Sequence, residues 1–169
     1  MQLFDKKAKP NLKRYILQCS LATFTILLTL LIFNLFTQGT IIASLGATTF
    51  IVFTIPSSYT SQSRNVIGGY IVGIIIGIIF HLLSLEMASL LKDMSIRVIY
   101  IFLGSIAVGI TILLMTITNT EHPPAVGMSL GLVLSKWSYI TIMTILFCVV
   151  FMWLVKILLV KKDLLIDLK

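Results

Sequence analysis

The sequence predicts an all-α membrane protein of six helical segments, arranged as two three-helix halves in which the second helix of each half is short or re-entrant. Of its 169 residues, 58% are hydrophobic and only 11% are charged, which is too little charge to cover a soluble domain of this size. Four apolar runs are long enough to cross the ~30 Å hydrocarbon core of a bilayer. Two shorter apolar runs occupy matching places in the two halves.

The four long runs can each span a bilayer as a helix that rises about 1.5 Å per residue. They are Tyr15 to Phe36, Val66 to Leu85, Val98 to Ile117, and Trp137 to Val160. Trp137 at one end of the last run and Lys161 beyond the other are typical of interfacial anchors. Lys156 lies about one turn inside, and we expect it to snorkel outward.

The two short runs, Ile41 to Ile55 and Pro124 to Leu134, would reach only ~22 Å and ~17 Å as helices. Both are rich in small and polar residues, so they need packing against protein or a cavity at membrane depth. The order long, short, long occurs twice, which predicts a possible inverted repeat. Paired short segments of this kind indicate a transport site near the midplane.

Basic residues at both ends of the chain indicate the topology. The net charge is +7, and the clusters are Lys6, Lys7, Lys9, Lys13 and Arg14 near the start and Lys156, Lys161, Lys162 and Lys169 near the end. Positive residues stay cytoplasmic, so we expect a multi-pass protein of the plasma (cell inner) membrane with both termini in the cytoplasm. Six crossings fit, and so do four with two re-entrant segments; the loop from Glu86 to Ile96 lies on opposite sides in the two alternatives. We favour six.

The predicted organisation is a single transmembrane domain with short basic flanks. Residues 1–14 form a cytoplasmic N-terminal segment, residues 15–160 the transmembrane domain, and residues 161–169 a cytoplasmic tail. The two halves of the domain are roughly residues 15–85 and 97–160.

A polar stretch around His122-Pro123-Pro124 is the first candidate site. The residue before a proline is pushed out of the helical region, and Pro124 suits the first position of a helix. The backbone N–H groups of the first helical turn then lack intrahelical acceptors and attract anions. These amides belong to Ala125, Val126 and Gly127, with Glu121 beside His122. The alternative is that the prolines only start a helix while His122 faces interfacial water.

A second candidate is the polar segment Gln62 to Asn65 before the second long run. Arg64 could attract an anion or pair with Glu121, or it could be a plain marker of the cytoplasmic side. Gly69, Gly73 and Gly77 recur on one helix face, where small residues allow close helix packing. We expect that packing inside one protomer, with a homo-oligomer as the alternative.

Several function classes are not predicted. The sequence shows no metal-ligand cluster, nucleotide loop or nucleophile elbow, so we expect no enzyme, cofactor or metal. With no soluble domain to carry it, nucleic-acid binding is not expected either; the predicted partners are a small anion and the lipid bilayer.

Three segments resemble the HPP family of integral membrane proteins: Gly46 to Thr48, Gln62 to Gly69, and His122 to Ala125. Their order and spacing fit the family, and the resemblance runs from Tyr15 to Val160. Some plant and cyanobacterial relatives are nitrite transporters, so the resemblance implies a transporter or channel for a small anion.

Two positions depart from the family pattern. Ser63 stands where relatives usually have proline, which loosens the turn before Arg64. Tyr70 stands where they often have histidine, which argues against a proton role at position 70.

The leading hypothesis is a transporter or channel for a small inorganic anion such as nitrite, with a site between the two short helices. Arg64 and His122 would supply positive potential, and His122 a proton coupled to weak-acid uptake. The main alternative is a non-transporting accessory or assembly protein, and an intramembrane enzyme is a third. The expected binding residues are Ser44, Gly46, Thr48, Arg64, Asn65, Glu121, His122, Pro123, Pro124, Ala125, Val126 and Gly127.

Overall fold

The computed structural model describes residues 11–33 and 39–168, and the regular elements in that part of the chain are all helical. The all-α prediction with six helices is therefore confirmed. The helices are α1 (Leu12–Phe33), α2 (Gly39–Thr54), α3 (Ser63–Leu90), α4 (Ile96–Thr118), α5 (Pro123–Leu134) and α6 (Tyr139–Lys161), with a 3₁₀ turn at Tyr59–Ser61 before α3.

The predicted division into long and short segments is also confirmed. α1, α3, α4 and α6 are long and apolar enough to cross a membrane, whereas α2 has 16 residues and α5 has 12. α3 extends beyond the predicted run at both ends to reach 28 residues. The predicted end of the first span at Phe36, the basic residues before position 11 and Lys169 lie outside the described residues.

Large apolar side chains face outward from all four long helices. Examples are Phe24 on α1, Ile75 on α3, Phe102 on α4 and Phe147 on α6, each at least half exposed. An apolar surface of this extent is unfavourable in water, and hydrocarbon is the solvent that fits it. The main core lies inside, where α2, α3, α5 and α6 meet.

α3 and α5 lie side by side and run in the same direction. A Cβ added at Gly69 would lie 2.8 Å from the Cβ of His122, and one added at Gly77 would lie 2.9 Å from the carbonyl oxygen of Ser129. No side chain larger than hydrogen fits such an approach. The glycine-lined face of α3 therefore packs inside the protomer, as predicted.

The remaining contacts place the start of α1 and the ends of α2 and α6 together. Gln18 Nε2 donates to the carbonyl oxygens of Phe53 (3.0 Å) and Ile166 (2.8 Å). Lys156 Nζ donates to the carbonyl oxygen of Ser61 at 2.7 Å, just before α3 begins. We call this end of the molecule the termini end. Consecutive helices run in alternating directions, and the 91–95 loop lies at the opposite end, which is the arrangement of the six-crossing alternative.

The chain after α6 folds back across the termini end instead of extending away from the protein. The N–H of Leu168 donates to the carbonyl oxygen of Thr54 at 2.9 Å, and the hydroxyl of Tyr15 donates to the carbonyl oxygen of Leu168. Leu165 and Leu168 are buried. The segment predicted as a cytoplasmic tail is thus packed against the helices up to residue 168.

Lys156 differs from its prediction as well. It is buried and does not snorkel outward. The carbonyl of Ser61 is an acceptor within reach of its ammonium group, and a buried charge needs such a partner.

A twofold relation between the halves stays a prediction. Such a relation would match α1 with α4, α2 with α5 and α3 with α6. Each packed pair of helices then has a packed counterpart: α1–α2 matches α4–α5, α1–α6 matches α3–α4, and α2–α6 matches α3–α5. This pattern is compatible with an inverted repeat.

Candidate functional site

The site is organised around the break between α4 and α5. α4 ends at Thr118 and is followed by Asn119, whose backbone is left-handed (φ 51°, ψ 52°), a conformation that asparagine tolerates. His122 is extended (φ −137°, ψ 94°), as expected before a proline. α5 then starts at Pro123, one residue earlier than the sequence predicts.

His122 is completely buried, so the alternative in which it faces interfacial water is wrong. Its Nδ1 lies 2.9 Å from the carbonyl oxygen of Thr60, and its Nε2 lies 3.0 Å from the hydroxyl of Thr48. A carbonyl oxygen can only accept, so Nδ1 carries a hydrogen. The imidazole ring therefore connects the turn before α3 to the middle of α2.

The contacts continue from Thr48 into the protein. The hydroxyl of Thr48 lies 2.8 Å from the hydroxyl of Tyr70, which lies 2.9 Å from the hydroxyl of Ser44. Ser44 in turn donates to the carbonyl oxygen of Pro124 at 2.6 Å. We call this set the buried chain; its members in order are the Thr60 carbonyl, His122, Thr48, Tyr70, Ser44 and the Pro124 carbonyl.

Helical spacing explains why these groups meet. Ser44 and Thr48 are four residues apart on α2, so both face α5 and α3. Both side chains are buried, as is that of Tyr70. The predicted proximity of Ser44, Thr48 and His122 is therefore present in the structure.

Gly46 lies apart from these groups. It lies two residues beyond Ser44, which turns it to the opposite face of α2, and it is exposed with nothing within 4 Å of an added Cβ. It is therefore apart from the contacts that the Ser44–Thr48 face of α2 makes with α5, and its expected role as lining stays a prediction.

The amides at the start of α5 are less open than predicted. The N–H of Ala125 donates to the carbonyl oxygen of His122 at 2.9 Å, and Ala125 is fully buried. Because α5 starts at Pro123, Gly127 is its fifth residue, and helical bonding gives its N–H an acceptor. Ala125 and Gly127 thus do not present the anion-binding amides that the sequence suggests.

Side chains of the second candidate segment, Gln62 to Asn65, contact backbone carbonyl oxygens at the same break. Arg64 is exposed and donates from Nη2 to the carbonyl oxygen of Thr118 at 2.8 Å, instead of pairing with Glu121. Asn65 is buried and donates from Nδ2 to the carbonyl oxygen of Glu121 at 3.2 Å. Two oxygens there are buried without a hydrogen-bond partner among the described residues: Oδ1 of Asn65 and Oε2 of Glu121.

A cleft of about 430 Å³ opens beside this break. It is lined from α4 by Ile112, Met115 and Thr116 and from the break and α5 by Glu121, His122, Pro123 and Val126. The sequence predicts a site between the two short helices, where the hydroxyl of Ser44 bonds to the carbonyl oxygen of Pro124. The cleft lies between α4 and α5 instead.

Four members of this region were not predicted as site residues: Thr60, Ser61, Tyr70 and Lys156. Tyr70 is the most important, because its hydroxyl is the centre of the buried chain. The family pattern argued against a proton role at position 70, yet a phenol among glycines in an apolar helix was itself a signal of a buried polar contact.

The described residues contain no group of three or more histidine, cysteine, aspartate or glutamate side chains that could hold a metal ion.

Comparison with known proteins agrees with the architecture. No curated protein and no solved structure matches the chain. The family model described as "HPP, transmembrane region" matches residues 7–164, a range that includes all six helices and every residue of the buried chain. The chain belongs to the HPP family of transmembrane proteins.

Proposed function

We propose that the protein is a membrane transporter or channel for a small inorganic anion such as nitrite, which it moves together with a proton. One observation carries this proposal. His122 and Glu121 line the same cleft, and one carboxylate oxygen of Glu121 is buried without a hydrogen-bond partner among the described residues. Ionisable groups at membrane depth are costly, and they are usually retained for function.

The size and lining of the cleft favour a small solute. Its volume is within the ~300–1,000 Å³ range of small-molecule sites, and most of its lining is apolar. Such a lining accepts a neutral or charge-compensated species more readily than a bare ion.

Glu121 favours a proton as co-substrate. A carboxylate beside the cleft repels a bare anion, whereas an anion that enters with a proton escapes this repulsion. Nitrite suits the requirement because it is the anion of a weak acid. His122, which lines the same cleft, is the side chain best suited to hold the proton.

Basic residues at the termini end support both anion attraction and the predicted orientation. Arg64, Lys161 and Lys162 are exposed there, and the buried Lys156 adds a fourth charge. Such a cluster raises the local concentration of anions and favours the cytoplasmic side of a plasma membrane.

A second candidate function, a non-transporting accessory or assembly protein, is favoured by one observation. The polar side chains of Ser44, Thr48 and Tyr70 are buried and bond to one another inside the protein. This is the internal pairing that the alternative predicts. It differs from the transport proposal in expecting no solute flux and co-purification with a larger complex.

An intramembrane hydrolase is disfavoured by the partners of His122. Its two ring nitrogens contact Thr48 and the Thr60 carbonyl, so no serine is paired with the imidazole as a nucleophile would be.

The deciding experiment is flux of small anions into proteoliposomes that contain the purified full-length protein. We expect nitrite uptake above that of empty liposomes, with a strong reduction in His122→Ala and a smaller one in Arg64→Ala. No movement of nitrite or any other small anion would contradict the transport proposal, and unchanged flux in both variants would remove these residues from it.

A further inference from the structure

The buried chain contains fewer hydrogens than its contacts require. We propose that it is a proton-binding site, complete when it holds one proton more than its neutral side chains supply. This inference concerns proton binding alone, so it goes beyond the proposed transport and does not require it.

A count of hydrogens leads to the proposal. The chain has five contacts: His122 with Thr60, His122 with Thr48, Thr48 with Tyr70, Tyr70 with Ser44, and Ser44 with Pro124. Both end groups are carbonyls, which supply no hydrogen. A neutral imidazole and three hydroxyls supply one each. Four hydrogens therefore serve five contacts.

The neutral chain must leave one contact without a hydrogen. At that contact two lone pairs face each other across 3.0 Å or less, or the two side chains have to move apart. Inside a protein such an unmet contact is costly, because water cannot replace the missing partner.

One added proton on His122 completes the set. Nδ1–H donates to Thr60 and Nε2–H donates to Thr48. Thr48 then donates to Tyr70, Tyr70 to Ser44, and Ser44 to Pro124. Every contact has one hydrogen, and all hydroxyls point the same way along the chain. Loss of the proton breaks this order at one of the contacts between α2, α3 and α5.

The surroundings of His122 contain charges of both signs. The carboxylate of Glu121, the residue before His122 in the sequence, favours the protonated form of the imidazole. The ammonium group of Lys156, which donates to the carbonyl of Ser61 next to Thr60, opposes it, as does the exposed Arg64, the residue before Asn65. On the α3 side the facing titratable group is Tyr70, whose ring centroid lies 5.7 Å from that of His122, and α6 contributes Cys148 to the same core. α2 and the turn before α3 present only neutral groups.

The cleft provides a route for the proton. His122 and Glu121 both line it, so a proton can reach the imidazole from the cleft without crossing the apolar core.

The count makes an unusual prediction for Ser44, which does not touch His122. Without the Ser44 hydroxyl, three contacts remain for three hydrogens, so neutral His122 is fully satisfied. Ser44→Ala should therefore lower the proton affinity of His122 from two side chains away. We expect a loss of about two- to tenfold, the equivalent of one net hydrogen bond. Tyr70→Phe also leaves three contacts for three hydrogens, so it should lower the proton affinity of His122 as well.

The experiment is a ¹⁵N NMR titration of the histidine ring in the full-length protein in lipid nanodiscs, without nitrite. The His81→Gln background makes His122 the sole histidine. Ser84→Ala is the matched control, because Ser84 is also buried and its hydroxyl donates to the carbonyl oxygen of Phe80 within its own helix. Thr48→Ser keeps the hydroxyl and should titrate like the parent, within about twofold.

Two results would overturn the proposal. One is a His122 that stays neutral at every pH at which the protein remains folded. The other is a titration that Ser44→Ala and Tyr70→Phe leave at the midpoint of the parent. Because nitrite is absent, a protein that transports nothing can still pass this test, and a transporter can fail it.

Discussion

The hydroxyl oxygen of Ser44 lies 2.6 Å from the carbonyl oxygen of Pro124, and this hydrogen bond joins the two short helices directly. Neither helix is long enough to cross a bilayer easily on its own. Polar backbone at membrane depth needs internal partners, and here the side chains of α2 supply them. The buried chain therefore holds the two short helices together and is also the proposed proton site.

Replacing Thr48 should destabilise the protein far more than replacing its neighbour Thr49. Thr48→Val leaves His122 Nε2 without its Thr48 partner and the Tyr70 hydroxyl with Ser44 alone, and it should cost ~1–3 kcal/mol. Thr49 is also buried, but its hydroxyl, which has one hydrogen to donate, lies 2.9 Å from the Leu45 carbonyl oxygen of its own helix and 3.3 Å from the sulfur of Met152. We expect Thr49→Val to cost less than ~1 kcal/mol. Reversible unfolding in mixed micelles measures both, and equal losses would contradict the assigned contacts.

The glycines of α3 should be sensitive to the smallest added side chain. Gly69→Ala places a methyl group 2.8 Å from the Cβ of His122, and such overpacking costs about 1–3 kcal/mol. Gly109 on α4 has nothing within 4 Å, so Gly109→Ala should be neutral or stabilise the helix by up to ~1 kcal/mol. The same unfolding assay compares the two variants. A tolerated Gly69→Ala would mean that α3 and α5 pack less closely.

The segment after α6 should contribute to stability through Leu165. Leu165 is only 4% exposed, whereas the adjacent Ile166 is 37% exposed. Truncation of a buried leucine costs about 2 kcal/mol or more, so Leu165→Ala should lower the thermal midpoint of the detergent-solubilised protein clearly. Ile166→Ala should change it little. Equally small effects of the two substitutions would indicate that residues 163–168 are not packed against the helices.

Cysteine labelling should place the 91–95 loop opposite the termini. With Cys19 and Cys148 replaced by serine, Lys92→Cys and Lys162→Cys give one probe at each end of the molecule. A membrane-impermeant maleimide should label them from opposite sides, because α3 starts at the termini end and runs away from it. Labelling of both from the same side would support four crossings with two re-entrant segments.

Much of the fold follows from the sequence because lipid imposes simple rules. Long apolar runs such as Val98 to Ile117 identify the spanning helices, and prolines 123 and 124 identify the start of α5 within one residue. The path of residues 163–168 could not be predicted from the sequence. Their packing depends on acceptors such as the Thr54 carbonyl, which only the tertiary structure brings near.

The site was predictable in part for a related reason. His122, Ser44 and Thr48 stand out as polar groups in apolar segments, and the structure brings them together. Gly46 was included because small residues suggest a cavity, yet helical phase places it on the outer face. Tyr70 was discounted by comparison with relatives, although its hydroxyl needs a buried partner whatever residue the relatives carry.

The most direct test of the account compares two histidine variants in nitrite uptake driven by an inward proton gradient. His122→Gln removes the proposed proton acceptor at the cleft, whereas His81→Gln changes a histidine that contacts the Val133 carbonyl and Trp137 far from it. The account predicts that proteoliposomes with His81→Gln keep the gradient-driven uptake and those with His122→Gln lose at least about tenfold, as expected when a positioned proton-transfer group is removed. Equal uptake by the two variants would contradict it.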